Sequence, residues 1–137
     1  MANILIVDDQ PCVRELISQE LEKEGHRIRG VQESSSIPEQ LSSFHPDVVL
    51  LDLYLSGFEG WDVLDNIKHK EPNLPVVIFT AYDTFRDDPR LSQADGYVVK
   101  SFVGLDELKE KISQVLRQRK PQLKRDLRSF QMAADSA

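Results

Sequence analysis

Ile4-Leu5-Ile6-Val7-Asp8-Asp9-Gln10-Pro11 is the stretch that decides the fold. Four apolar residues, three of them β-branched, end in two acids and then a proline. An apolar run this short reads as a strand buried on both faces, and proline fits the first turn of a following helix. Three more runs have the same form. Val48-Val49-Leu50-Leu51 ends in Asp52, Val76-Val77-Ile78-Phe79 ends in Thr80, and Tyr97-Val98-Val99 ends in Lys100. A weaker run, Arg27 to Val31, carries Ile28 and Val31 as its apolar residues.

Helical periodicity fills the intervals. Val13, Leu16, Ile17 and Leu21 are expected on one face of a helix that Gly25 ends. Ile37, Leu41 and Phe44 form the next stripe, with Ser34 to Ser36 as a cap and His45-Pro46 as a break. Ser56 to Gly60 form a loop before a face of Trp61, Leu64 and Ile67, and Pro72 and Pro75 bracket the turn into the next strand. Leu105, Leu108, Ile112, Val115 and Leu116 line a last long helix, which Pro121 should stop or kink.

Repeated strand–helix alternation argues for a parallel sheet with helices on both faces. For five strands the commonest doubly wound order is 2-1-3-4-5, and its winding reverses between strands one and three. Asp8, Asp9 and Asp52 lie at the ends of those two strands, so the topology brings three carboxylates to one crevice. Their mutual repulsion would raise their pKa values, and a bound cation would relieve it. All-oxygen ligation by a partly hydrated ion suits Mg²⁺. His26, His45 and His69 lie on other segments without metal-ligand spacing and read as surface residues, so zinc is not expected.

The chain's 137 residues fit one domain with a real core, and 40% hydrophobic with 29% charged residues is ordinary for a soluble globular protein. No run reaches the roughly 20 apolar residues of a membrane span, and no signal peptide is evident. The single cysteine, Cys12, excludes an internal disulfide and fits the reducing cytoplasm; it reads as a small residue in a first helical turn. Charge is uneven. Residues 117–128 carry six cations against one acid, a net of +5 in a chain of net −6, which leaves −11 on the remainder. An acidic body disfavours direct nucleic-acid binding, and the basic segment reads as a solvated helix end.

These residues resemble the receiver domain of two-component response regulators over about residues 3–118. The Asp8-Asp9 pair looks like that family's metal-binding acids, and Asp52 like its phosphoacceptor. Thr80, followed by small Ala81, matches the switch hydroxyl; Tyr97, three before Lys100, matches the aromatic switch. Gly60, eight after Asp52, matches a loop glycine. The resemblance implies a flavodoxin-like, doubly wound five-stranded parallel sheet. The 2-1-3-4-5 order is itself a property of that family, so it adds no independent weight.

The resemblance also implies a phosphorelay. Asp52 would take a phosphoryl group from a phosphohistidine on a sensor histidine kinase or phosphotransfer protein, and the switched chain would control a downstream protein. Mg²⁺ would be held by Asp9 directly, by Asp8 through water, by Asp52 and by the Tyr54 backbone carbonyl. Lys100 would pair with a phosphoryl oxygen and Thr80 would hydrogen-bond another, letting Tyr97 move. Positioning and charge neutralisation supply most of such catalysis. The chain is thus expected to be a signalling module rather than an enzyme.

The sequence departs from the family's pattern in several places. Ser101 follows Lys100 where the family has proline, which removes the usual reason for a cis peptide. Ser56 replaces a proline four after Asp52. The interval from Thr80 to Lys100 is a little short and contains Asp87-Asp88-Pro89. The fourth helix should therefore be short, starting near Pro89 with Asp88 as cap.

Three other readings compete. A haloacid-dehalogenase-type phosphatase would need an acid two after its nucleophile, where Tyr54 stands. A flavodoxin-like cofactor module would need a phosphate loop after strand one, where the acids would repel a phosphate. A receiver-like interaction scaffold that takes no phosphate is the remaining alternative.

By this reading residues 1–120 form the receiver and 121–137 a basic tail without a DNA-binding output domain, as in a stand-alone or excised receiver. Leu123, Leu127 and Phe130 could line one face of a helix that docks on the altered fourth-helix surface or on a second copy, forming a homodimer.

Overall fold

The computed structural model describes residues 1–55, 59–100 and 105–118. In chain order these form β1 (Asn3–Val7), α1 (Pro11–Lys23), β2 (Arg27–Val31), α2 (Ile37–Ser43), β3 (Val48–Leu51), α3 (Gly60–Lys70), β4 (Val76–Thr80), β5 (Gly96–Val99) and α4 (Asp106–Arg117). Short 3-10 turns occupy Ser34–Ser36 and Pro89–Gln93. The five strands are all parallel, in the order β2-β1-β3-β4-β5 expected from the sequence.

Each strand sends alternate residues to opposite faces of the sheet, so the core has two layers. Leu5, Leu51 and Ile78 point to the side covered by α2 and α3, where they meet Leu41, Leu64 and Ile67. Ile4, Leu50 and Val77 point to the side covered by α1 and α4, against Ile17 and Ile112. β1, β3 and β4 are therefore apolar at nearly every position, and each fully buried large aliphatic side chain contributes about 1.5–3 kcal/mol. The sheet's function-bearing edge is the row of residues just after these strands.

Helix α1 starts at Pro11 and ends at Lys23; Gly25 follows with φ 89°, and its N–H donates to the Glu22 carbonyl at 2.9 Å. This is the left-handed exit that glycine permits. One expected face is corrected. Leu16 does not join Val13, Ile17 and Leu21; it is 54% exposed while Ile17 and Leu21 are buried. Spacing of four keeps those three over the sheet, and Leu16 lies about 100° round the helix from Ile17.

Ser34 to Ser36 also differ from expectation: they form the 3-10 turn itself, and no serine side chain caps α2. His26 is half-buried rather than a surface residue. Its Nδ1 accepts from the Ala2 N–H at 3.1 Å, and burial holds its pKa below the usual histidine value.

The shortened fourth helix is a single 3-10 turn. Asp88 caps it, Oδ1 accepting from the Arg90 N–H at 2.9 Å, as the Asp88-Pro89 pair predicts. Arg90 also pairs with the Asp88 carboxylate at 2.8 Å, and its guanidinium lies 3.9 Å over the Trp61 ring. Lys68 of α3 reaches Asp95, just before β5, at 2.7 Å. Side chains from α3 thus hold a segment too short to form an α-helix. No peptide bond among the described residues is cis. The Lys100–Ser101 bond, Ser56, and the expected boundary and docking of the 121–137 tail lie outside the described residues.

Candidate functional site

β1 and β3 are neighbours, with Val7 opposite Leu51, so Asp8 and Asp52 emerge side by side. Backbone bonds hold both exits: Asp8 N–H donates to the Val31 carbonyl at 3.1 Å, and Asp52 N–H to the Val7 carbonyl at 3.0 Å. Carboxylate oxygens of Asp8, Asp9 and Asp52 all lie within 4.8 Å of one another. Lys100 follows β5 and is tied to the end of β4, its N–H donating to the Thr80 carbonyl at 2.7 Å. Its ammonium crosses back over the sheet to Asp8 Oδ2 at 2.8 Å and Asp52 Oδ2 at 3.0 Å. Residues far apart in sequence thus meet at one end of the sheet.

The site is short of positive charge. The Lys100, Asp8 and Asp52 side chains are 14%, 3% and 7% exposed, so one ammonium serves two buried carboxylates. Burial raises the Asp8 pKa, with a smaller push from the Asp52 charge; the Lys100 ammonium and the Gln10 N–H oppose both without cancelling them. Asp9 is exposed, and its carboxylate has no hydrogen-bond or ion-pair partner among the described residues. Hard oxygen donors, surplus negative charge and one unengaged carboxylate fit a hard divalent cation, and no histidine or cysteine belongs to the cluster.

The residues expected to act as the switch lie beside it. Thr80 is fully buried, and its Oγ1 accepts from the Tyr82 N–H at 3.5 Å. Tyr97 is half-buried; its hydroxyl donates to the Tyr82 carbonyl, and the Arg86 guanidinium lies 5.4 Å over its ring. Burial raises the Tyr97 phenol pKa. The Tyr54 N–H donates to Asp52 Oδ1 at 3.1 Å. The Tyr54 and Tyr82 rings are 5.7 Å apart and 44% and 40% exposed, forming a pair beside the acidic crevice.

Sequence reading missed several contacts. Gln10 Oε1 accepts from the Lys100 ammonium at 3.3 Å, a third acceptor for that one cation. Arg14 donates to the Asp8 carbonyl at 2.6 Å. An aromatic series runs from Tyr82 through Phe85 to Trp61 and on to Arg90. Adjacency to the acids could have flagged Gln10; the others depend on how a helix and a loop lie on the sheet. Gly60 was legible as a glycine, and its reason is now clear. A Cβ there would stand 2.5 Å from the Asp52 carbonyl oxygen, so α3 starts directly against the Asp52 backbone.

The family model for the response regulator receiver domain matches residues 4–113. Among curated relatives, the probable transcriptional regulatory protein TcrX of Mycobacterium tuberculosis is 37% identical over 101 residues, covering 72% of this chain and 43% of the relative. The two-component response regulator PhoP of Pseudomonas aeruginosa is 28% identical over 116 residues, covering 83% of this chain and 51% of that protein. The chain therefore spans about half the length of these relatives.

Among solved structures, the response regulator TrrA of Thermotoga maritima in complex with Mg²⁺-BeF superposes with a TM-score of 0.78 at 38% identity. That match covers 84% of this chain and 99% of the other. A chain in the complex of histidine kinase ThkA with TrrA gives a TM-score of 0.77 at 39% identity, covering 85% and 99%. Backbone and sequence thus agree over most of the length, and the chain belongs to the response regulator receiver domain family.

Proposed function

We propose that Asp52 is the phosphoacceptor of a phosphorelay and that Asp8, Asp9, Asp52 and the Tyr54 carbonyl hold Mg²⁺ beside it. The observation that carries this reading is the convergence of three carboxylates and one bridging ammonium at the ends of β1, β3 and β5. Mg²⁺, when bound, supplies the charge that neutralises the phosphoryl oxygens. The donor is a phosphohistidine on a sensor histidine kinase or phosphotransfer protein, a partner supported by the similarity to TrrA, which is solved with the kinase ThkA. An Asp52 carboxylate oxygen attacks phosphorus and forms the new P–O bond. The P–N bond breaks, and its electron pair returns to the imidazole.

Both Asp52 oxygens are engaged here, Oδ1 by the Tyr54 N–H and Oδ2 by Lys100. In transfer Lys100 moves from the carboxylate to a phosphoryl oxygen, where it acts as a point charge. Thr80 gives its hydroxyl to another phosphoryl oxygen and pulls its segment inward. The Tyr97 hydroxyl is bonded to the Tyr82 carbonyl in that same segment, so the ring must follow or release it. The phosphoryl contacts bias a two-state equilibrium by their differential energy, and a downstream protein reads the result. Among the described residues no helix is long and apolar enough to cross a membrane. The reading places the chain in the cytoplasm, a location supported by its lone free cysteine, Cys12.

Acetyl phosphate with Mg²⁺ should add one acid-labile phosphoryl group, detected by mass, and Asp52→Asn should abolish it. Labelling of Asp52→Asn at the wild-type rate would refute the assignment.

A further inference from the structure

Asp8 and Asp52 have side-chain anchors: Asp8 bonds Lys100 and the Gln10 N–H, and Asp52 bonds Lys100 and the Tyr54 N–H. Asp9 has none among the described residues, so its carboxylate is aimed only by its backbone. The peptide joining Asp8 to Asp9 is a rigid plane, and fixing its carbonyl fixes the amide that carries Asp9. Arg14, in the first turns of α1, donates from Nη1 to that carbonyl at 2.6 Å. To reach it, the Arg14 side chain lies across Gly30 of edge strand β2. A Cβ on Gly30 would stand 3.2 Å from Arg14 Cδ and 3.6 Å from Nε. Glycine in a strand gives up side-chain packing and marks a place where another group passes close by.

Building on the metal reading above, we infer that Arg14 is a positioning residue that presents Asp9 to the cation, and that Gly30 is the gap through which it does so. Arg14 also carries a positive charge, which by itself opposes a divalent ion nearby. The side chain is half-exposed, so that repulsion is screened, whereas the hydrogen bond acts directly on the ligand's backbone. Positioning therefore outweighs repulsion, and the two effects have opposite signs on affinity.

Calorimetric titration of the full chain with Mg²⁺ separates them. Arg14→Ala should weaken binding by about tenfold, the usual scale for a residue that orients a metal ligand. Gly30→Val keeps every charge and should also weaken binding. Its melting temperature should not fall, because valine favours an exposed edge strand. Arg14→Lys should recover part of the affinity. Gly30→Val should have no further effect in an Arg14→Ala background. Phosphorylation by acetyl phosphate should show a raised KM for Mg²⁺ with little change in the rate at saturating Mg²⁺. Unchanged or tighter binding in Arg14→Ala, or unchanged binding in Gly30→Val, would overturn the proposal while leaving the metal site standing. A wild-type chain that binds no Mg²⁺ would overturn both.

Discussion

Replacing Lys100 by methionine keeps an apolar stem of similar length near the Phe79 ring and deletes the one cation shared by Asp8 and Asp52. Two buried carboxylates with oxygens no more than 4.8 Å apart then face each other without compensation. At an effective dielectric of about 20 their repulsion is about 3.5 kcal/mol. Breaking a buried pair by removing one partner typically costs about 3–5 kcal/mol.

Proton uptake limits this loss, because Asp8 already has a raised pKa and would lose the Lys100 contribution that lowers it. A carboxyl whose folded pKa exceeds its unfolded value favours folding in acid, and that contribution disappears as pH rises through the folded value. The deficit should therefore be largest, about 3 kcal/mol, near pH 8 and shrink toward pH 5, by at most about 1.4 kcal/mol per pH unit. Urea unfolding reads it directly, as a midpoint lowered by roughly 1.5 M at an m-value of about 2 kcal/mol/M. Mg²⁺ at about 100 times the variant's Kd should stabilise the variant by about 2.7 kcal/mol relative to its metal-free form. A deficit between the metal-free chains that is constant from pH 8 to pH 5, or a variant whose midpoint Mg²⁺ does not raise, would refute the shared-cation account.

Two further outcomes rest on other parts of the site. With Asp52 as the proposed phosphoacceptor, the Tyr54 and Tyr82 rings beside it would obstruct the in-line path of water, so replacing both by serine should speed dephosphorylation by about tenfold. Loss of the phosphoryl group at the wild-type rate, followed by mass, would show that steric shielding is not the control. Gly60→Ala places a methyl 2.5 Å from the Asp52 carbonyl oxygen and the Leu53 Cα, backbone atoms that no rotamer change can clear. It should lower stability by about 2–3 kcal/mol in urea and slow phosphorylation by displacing Asp52. Stability within about 0.5 kcal/mol of wild type would contradict the close approach.

Legibility differed from residue to residue for physical reasons. Asp8, Asp52, Thr80 and Lys100 could be located from sequence because each ends an apolar run, and strand direction puts all such ends on one side of a parallel sheet. Asp88-Pro89 could be read as a cap because proline and aspartate act locally. Leu16 was misplaced because periodicity marks an apolar stripe but not its width, and the edge position of β2 decides how much of α1 finds cover. Ser34 to Ser36 suit either a cap or a tight turn, and the packing of α2 selected the turn.

The sequence by itself thus determined the strands and the set of chemical groups at their ends, since these follow from short-range hydrophobic patterning. The 2-1-3-4-5 order was expected from strand–helix alternation together with the family resemblance, and the tertiary structure bears it out. Tertiary structure alone decided the lateral partners. Lys100 shared between two acids, Gln10 as its third acceptor, Arg14 passing over Gly30 and Arg90 on Trp61 all join groups whose separation depends on how helices and loops lie against the sheet. Burial decided the electrostatics in the same way: aspartate has one ordinary pKa in water, and only its place in the crevice makes Asp8 hold its proton more tightly.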